Sequence, residues 1–241
     1  MSRKLGFFLS GVALFLLFIL FSYLVHKNLF THFDFNNTVR LQDHISRRFD
    51  SFFSFLSDIG RFEVVIIVVL ALAGWLALRK KRLAAISMLG LFGGFHLIEL
   101  YGKYFVNHPP PPHFMLRTQN LMNFPQFYVS SEFSYPSGHA GRAAFVCSIL
   151  IVLIWCSKRL SNNQKIILTT LIVAYDLIMV VSRVYLGEHW SSDVIGGTIL
   201  GLGFGLLTSA FFVGEPKSVQ KPEVNHTVKK FFKYRLKLVA E

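Results

Sequence analysis

Six apolar runs, at about 5–25, 63–79, 84–106, 140–157, 166–186 and 193–214, limit what this chain can fold into. Most approach the ~20 residues that a helix needs to cross a hydrocarbon layer. Hydrophobic residues make up 53% of the chain and charged residues 16%, with a mean hydropathy of +0.48. Soluble domains carry about a quarter charged residues, so an ordinary soluble fold is a poor fit and disorder is excluded. The 26 phenylalanines, against 8 tyrosines and 3 tryptophans, suit lipid-facing helices. The expected fold is all-α: a polytopic membrane protein with six transmembrane helices.

The first run follows Ser2-Arg3-Lys4 and has the look of a signal peptide. Its apolar core, Leu5 to Val25, is longer than a typical signal core and no A-x-A site follows, so it is read as a retained span. The second run is the shortest and uses Arg61 and Arg79 to reach both interfaces. Cys147 and Cys156 fall in one apolar segment and read as packing residues, not as a disulfide framework or metal site.

The net charge of +12 would suggest nucleic acid in a soluble protein. Here the charge is carried by loops between apolar runs, so no nucleic-acid partner is expected. Arg79-Lys80-Lys81-Arg82, Lys158, Arg159 and Lys165 lie in alternate loops, with Arg3 and Lys4 at one end of the chain and a lysine-rich tail at the other. The positive-inside rule assigns all of these to the cytoplasm, both termini included. Three segments then face outward, at about 26–62, 107–139 and 187–192. The first interleaves charges with Phe49, Phe52, Phe53, Phe55 and Leu56, which suits an amphipathic helix in the interface between spans one and two; a plain soluble loop would also fit. The second holds Pro109 to Pro112, an extended stretch that ends the preceding helix. We expect one membrane domain over 1–214 and a basic cytoplasmic tail over 215–241.

Reactive side chains collect at the outward ends of three spans. Tyr135-Pro136-Ser137-Gly138-His139 enters span four, where unpaired helix N–H groups offer an anion site, and Arg142 follows one turn later. A plain helix start would also explain that string. Ser182-Arg183, His189 and Asp193 close span five and open span six. A turn of helix lets the Asp193 carboxylate hold one nitrogen of His189 and leaves the other free as a nucleophile or base. Asp193 could equally serve only as the helix cap. Span three ends with Glu99 and Lys103, four residues apart; Lys103 is either half of a helix-end ion pair or a point charge for a phosphate. His96 lies on the same face. No metal-ligand spacing such as H-E-x-x-H is present, so metal-independent phosphoryl chemistry, with no cofactor, fits the three clusters best.

P-S-G-H at 136–139, followed by S-R-x-x-x-x-x-H-x-x-x-D at 182–193, resembles the type 2 phosphatidic acid phosphatase family, a relative of bacterial acid phosphatases and vanadium haloperoxidases. The match runs over about 103–193. The resemblance implies displacement through a phosphohistidine, with His189 as nucleophile, Asp193 orienting it, and His139 protonating the leaving oxygen and then activating water. Lys103, Ser137, Gly138 and Arg183 would hold the phosphoryl oxygens. The sequence departs from the family's first motif, K-x-x-x-x-x-x-R-P, where counting from Lys103 puts Pro110 at the arginine. Candidates to restore the charge are His108, His113, Arg117 and Arg142, with Arg142 first and Arg117 next.

The implied activity is hydrolysis of a lipid phosphate or diphosphate at the outer face of a membrane, most simply a bacterial inner membrane. Phosphatidic acid, phosphatidylglycerol phosphate, a polyprenyl diphosphate and a lipid A type phosphate all fit as substrate partners within the bilayer. A silent relative that binds phospholipid or a partner, or a lipid phosphotransferase, is the alternative.

Overall fold

The computed structural model describes residues 2–119 and 133–213; the basic tail expected at 215–241 lies outside them. The described residues form eight α-helices and no strand: α1 Arg3–His26, α2 Thr31–His44, α3 Asp50–Ile59, α4 Phe62–Leu78, α5 Arg82–Phe105, α6 Gly138–Cys156, α7 Asn162–Tyr185 and α8 Ser191–Phe212. Five of them (α1, α5, α6, α7, α8) are long and apolar enough to cross a membrane. The sixth span, α4, is only 17 residues long; it joins α3 across a bend of 44°. The chain is an integral membrane protein.

The segment between the first two spans forms two helices where one was expected. Asp34 and Thr38 of α2, and Asp50, Ser54, Ser57 and Asp58 of α3, are buried. Polar side chains inside a membrane-associated bundle need partners there, so these two helices belong to the machinery at one end of the bundle.

α8 is the central post, packed against α1, α5 and α6. Helices in lipid gain little from burying apolar surface, and close backbone approach takes over as the source of packing energy. Gly197, Gly201 and Gly205 recur every four residues on the face of α8 that meets α6. A Cβ at position 201 would stand 2.0 Å from the carbonyl oxygen of Gly141. On the opposite side, Gly203 of α8 meets Gly11 of α1. Phe92, Phe95, Phe145 and Phe204 fill the space where α5, α6 and α8 converge. α1 and α7 turn most of their leucines and isoleucines outward, as lipid-facing helices do.

The two ends of the bundle differ in charge. Lys81 in the α4–α5 turn donates to the Phe212 carbonyl at 2.9 Å, which ties that basic turn to the C-terminal end of α8. The basic turn after α6 lies at the same end. At the opposite end, the Asn107 N–H donates to His26 Nδ1 at 3.1 Å, and the starts of α6 and α8 meet there through a Ser137 N–H to Asp193 carbonyl bond of 2.9 Å. Every histidine of the motifs lies at this second end.

The glycine spine gives a direct test. Gly201→Leu should cost at least ~1–3 kcal/mol of stability by overpacking α6 against α8, whereas Gly90→Ala, with open space around it, should be neutral. Thermal unfolding in detergent checks this, and equal melting temperatures for the two variants would contradict the packing account.

Candidate active site

The site is assembled by the ends of four helices and two connecting segments. α7 stops at Tyr185, and Gly187 follows at φ 70°, a left-handed geometry that favours glycine. The same glycine permits close packing, because a Cβ there would lie 2.2 Å from the Met115 carbonyl oxygen. Gln42 of α2 pins both segments, donating to the carbonyls of Met115 at 2.7 Å and Tyr185 at 2.9 Å. This brings residues 113–119 over the α7–α8 connection, and His189 emerges from that connection just before α8.

Asp193, fully buried, sits in the first turn of α8 and serves three donors. Its Oδ2 accepts the Trp190 N–H at 3.0 Å, which caps the helix, and lies 3.3 Å from His189 Nδ1. Its Oδ1 is 2.7 Å from Nδ1 of His108. The cap and the histidine partner are therefore one and the same residue. Because His189 Nδ1 faces a carboxylate, that nitrogen carries the proton and Nε2 keeps the lone pair. Burial pushes His189 down to about 4, against the opposing pull of Asp193 and with Lys103 and Arg183 adding to the depression. Its imidazole is neutral at pH 7, as a nucleophile requires.

His108 is set the opposite way. Burial alone would lower it, but its bonds to Asp193 and Asp34 together raise it to about 9.

At the start of α6, Ser137 is fully buried and its hydroxyl has no partner among the described residues. Gly138 lets the Glu99 carboxylate and the Arg142 guanidinium approach the helix start, since a Cβ there would stand 1.9 Å from Glu99 Oε1 and would displace it. His139 lies within electrostatic range of Arg183, Arg142, His189 and Lys103, so the motif side chains gather at one end of the bundle. Lys103 likewise senses Glu99, Asp193, Arg142 and Arg183. Arg183 is buried; its Nη1 donates to Ser57 and its Nη2 pairs with Glu188, while Nε has no partner among the described residues. No three His, Cys, Asp or Glu side chains among the described residues are grouped as a metal site.

Arg142, the first candidate to restore the missing charge, has partners within the protein. Nε donates to the Gly60 carbonyl at 3.2 Å, Nη1 meets Glu99 Oε2 at 3.4 Å, and Nη2 approaches His139 Nδ1 at 3.5 Å. Glu99 pairs with Arg142 and with His96 at 3.3 Å, in place of the helical partner Lys103 that its spacing suggested. Arg117 stacks on the Tyr185 ring at 5.2 Å, and its Nη1 is buried without a partner among the described residues.

The PAP2 superfamily profile matches residues 64–216, well over half of the chain and all of the motif positions. The chain belongs to the PAP2 superfamily. It is 24% identical over 156 residues to phosphatidylglycerophosphatase B of Bacillus subtilis, a match covering 65% of this chain and 71% of that protein. It is 33% identical over 147 residues to undecaprenyl-diphosphatase of Sulfolobus acidocaldarius, covering 61% of this chain and 63% of the relative. In fold it is similar to the crystal structure of a transmembrane PAP2 type phosphatidylglycerolphosphate phosphatase from Bacillus subtilis. The TM-score is 0.66 and the identity 22%, over 84% of this chain and 95% of that one.

Within this PAP2 chain the motifs P-S-G-H and S-R…H…D gave the residues that converge. Sequence reasoning missed Asp34 altogether, and it weighed His108 only as a spare charge, not as the partner of Asp193. Asp34 stands in a polar helix with no spacing cue to a site more than 150 residues later. Ser57 and Glu188, the partners of Arg183, were also not anticipated.

The ion pair at His108 makes stability depend on pH. Its value in the folded protein, about 9, lies above the ordinary 6.5, so the fold favours the charged ring. That stabilisation is complete below pH 6.5 and is lost as pH rises through about 9. The melting temperature in detergent should fall over that interval, and His108→Gln should flatten the fall; an identical slope in the variant would contradict the assignment.

Proposed function

We propose that this PAP2 protein is a metal-independent membrane phosphatase that hydrolyses the terminal phosphoryl group of a lipid phosphate or diphosphate through a phosphohistidine. The observation that carries the reading is His189, neutral and oriented by Asp193, near His139 and near donors on Ser137 and Arg183 that have no partner among the described residues. Buried donors without partners are costly, and a phosphoryl group's oxygens would satisfy them.

In the first step the Nε2 lone pair of His189 forms the N–P bond while the P–O bond to the leaving group breaks. The leaving oxygen takes a proton from His139, and the Nδ1–H of His189 stays on Asp193. In the second step water gives its proton to His139 as its oxygen attacks phosphorus, the N–P bond breaks, and orthophosphate departs. Lys103, Arg183, Ser137 and the Gly138 backbone hold the equatorial oxygens, so positive charge and N–H donors supply what a metal would supply elsewhere. Arg142 serves by holding the His139 ring in place, its Nη2 lying 3.5 Å from Nδ1, so that His139 cycles between imidazolium and neutral imidazole over the two steps. Arg117, whose Nη1 has no partner among the described residues, lies on the segment folded over the α7–α8 connection and takes the place left open by Pro110.

An apolar groove of about 310 Å³ between α4, α6 and α7 supports a lipid substrate. Val64, Val68, Leu150 and Leu171 line it, and it ends at Arg142, beside His139. A chain lying there leaves its phosphate at the polar end of the bundle. The names of the relatives favour phosphatidylglycerophosphate and undecaprenyl diphosphate, and the same chemistry accepts phosphatidic acid or a lipid A type phosphate. The positive-inside rule gives the orientation: basic turns and both termini in the cytoplasm, the histidine end on the outer face of a bacterial inner membrane. Residues 1–214 form the membrane domain and 215–241 a cytoplasmic tail.

Phosphate release by the purified protein, over lipid monophosphates and diphosphates with chelator present, tests this. His189→Ala should lose at least ~10³-fold in rate. In the same assay Arg117→Ala should weaken orthovanadate inhibition more than Arg142→Ala does. Normal turnover in His189→Ala would refute the nucleophile, and no release from any lipid would favour a silent phospholipid binder.

A further inference from the structure

Behind the motif residues runs a second line of buried contacts. Asp193 Oδ1 is 2.7 Å from His108 Nδ1, and His108 Nε2 is 3.5 Å from Asp34 Oδ2. Asp34 is itself held by α8: its Oδ1 accepts the Ser192 N–H at 2.8 Å and its Oδ2 accepts the Ser192 hydroxyl at 2.7 Å. Asp34, His108, Ser192 and Asp193 are all buried, the most exposed of them at 4%. Three separate parts of the chain, α2, the segment after α5 and the first turn of α8, meet in this line.

The hydrogen count decides the state of His108. A neutral imidazole has one N–H and cannot donate to two carboxylates at once. With both ring nitrogens facing carboxylate oxygens, the ring carries two protons and a positive charge. Two buried carboxylates around one neutral ring would otherwise leave unpaired negative charge in a low-dielectric setting. His108 thus answers half of the charge of the Asp34–Asp193 pair. Asp193 remains an anion with Oδ1 occupied, and its Oδ2 is left to the Trp190 N–H and His189 Nδ1.

We propose that His108 and Asp34 are positioning residues for the nucleophile: His108, clamped by Asp34, fixes the Asp193 carboxylate so that Oδ2 stays on His189 Nδ1 through both steps. The proposal rests on the reading of His189 as nucleophile and extends it to two residues outside the P-S-G-H and S-R…H…D motifs. Neither residue touches the phosphoryl group in this arrangement. Their effect is therefore on the rate of the chemical steps and not on anion binding. The clamp also gives α2 a reason to be seated against the start of α8, because Asp34 joins that helix to the dyad.

The test uses the full chain in detergent, with short-chain phosphatidic acid as substrate and orthovanadate as phosphoryl analogue. His108→Gln keeps one donor and removes the charge; it should lower kcat by roughly 10- to 100-fold, the scale found when an outer hydrogen-bond partner that orients a functional histidine or carboxylate in a metal site is lost. KM and orthovanadate inhibition should stay within about threefold of the parent protein, a split that general misfolding would not give. His108→Arg, which keeps a charge and enough donors for both carboxylates, should recover a large part of the loss. Asp34→Asn should lower kcat in the same sense and to a smaller extent, and it decides the matter if His108→Gln does not fold. An unchanged kcat in both His108→Gln and Asp34→Asn overturns the proposal. So does a loss of orthovanadate inhibition with kcat retained, since His108 would then be a phosphate ligand. His189→Ala, run alongside, separates the two layers: turnover without His189 refutes the nucleophile itself, whereas a dead His189→Ala beside fully active His108→Gln and Asp34→Asn refutes only the clamp.

Discussion

One buried carboxylate organises this molecule. Asp193 begins α8 by capping it, holds His189 by the same oxygen, and takes His108 on the other. Its backbone carbonyl also accepts the Ser137 N–H, so the starts of α6 and α8 are locked together at the residue that orients the proposed nucleophile. The glycine contacts further down these two helices, Gly141 against Gly197 and Gly201, let the backbones come close enough for that bond to form. Packing along the whole length of the bundle thus sets the geometry of a few atoms at one end of it.

Charge is divided in the same economical way. Lys103, Arg142 and Arg183 lie within electrostatic range of His139, but they are not equivalent. Glu99 and the Gly60 carbonyl hold Arg142, Glu188 and Ser57 hold part of Arg183, and Lys103 has no ion pair among the described residues. Donors that are already satisfied shape the pocket; donors left open are the ones a phosphoryl group would meet. The neutral state of His189 and the charged state of His108 follow from the same local rule. His189 is paired on one nitrogen and buried, and His108 is paired on both.

The fold and the motif residues were largely legible in the sequence, for reasons of spacing. Apolar runs near the thickness of a bilayer announced the long spans, and the four-residue step from His189 to Asp193 announced the dyad. The weakest run, 63–79, corresponds to α4, which is short and continues from α3 across a bend, so its length alone understated its place in the bundle. Contacts between distant segments were not legible. Glu99 and Lys103 have the spacing of an ion pair on one helix, yet Glu99 turns to Arg142 on α6 because Gly138 lets that helix come within reach. Asp34 gives no sign in its own neighbourhood of a partner at Ser192, since only the docking of α2 on α8 creates the contact.

The most direct measurement of the central claim is rapid-quench trapping with a lipid labelled in its terminal phosphoryl group. The account predicts a transient phosphoprotein, stable to base and labile to acid, whose label maps to the peptide containing His189 and is absent from His189→Ala. Phosphate released in a single turnover with no labelled protein at any time, or label mapped to His139, would contradict it.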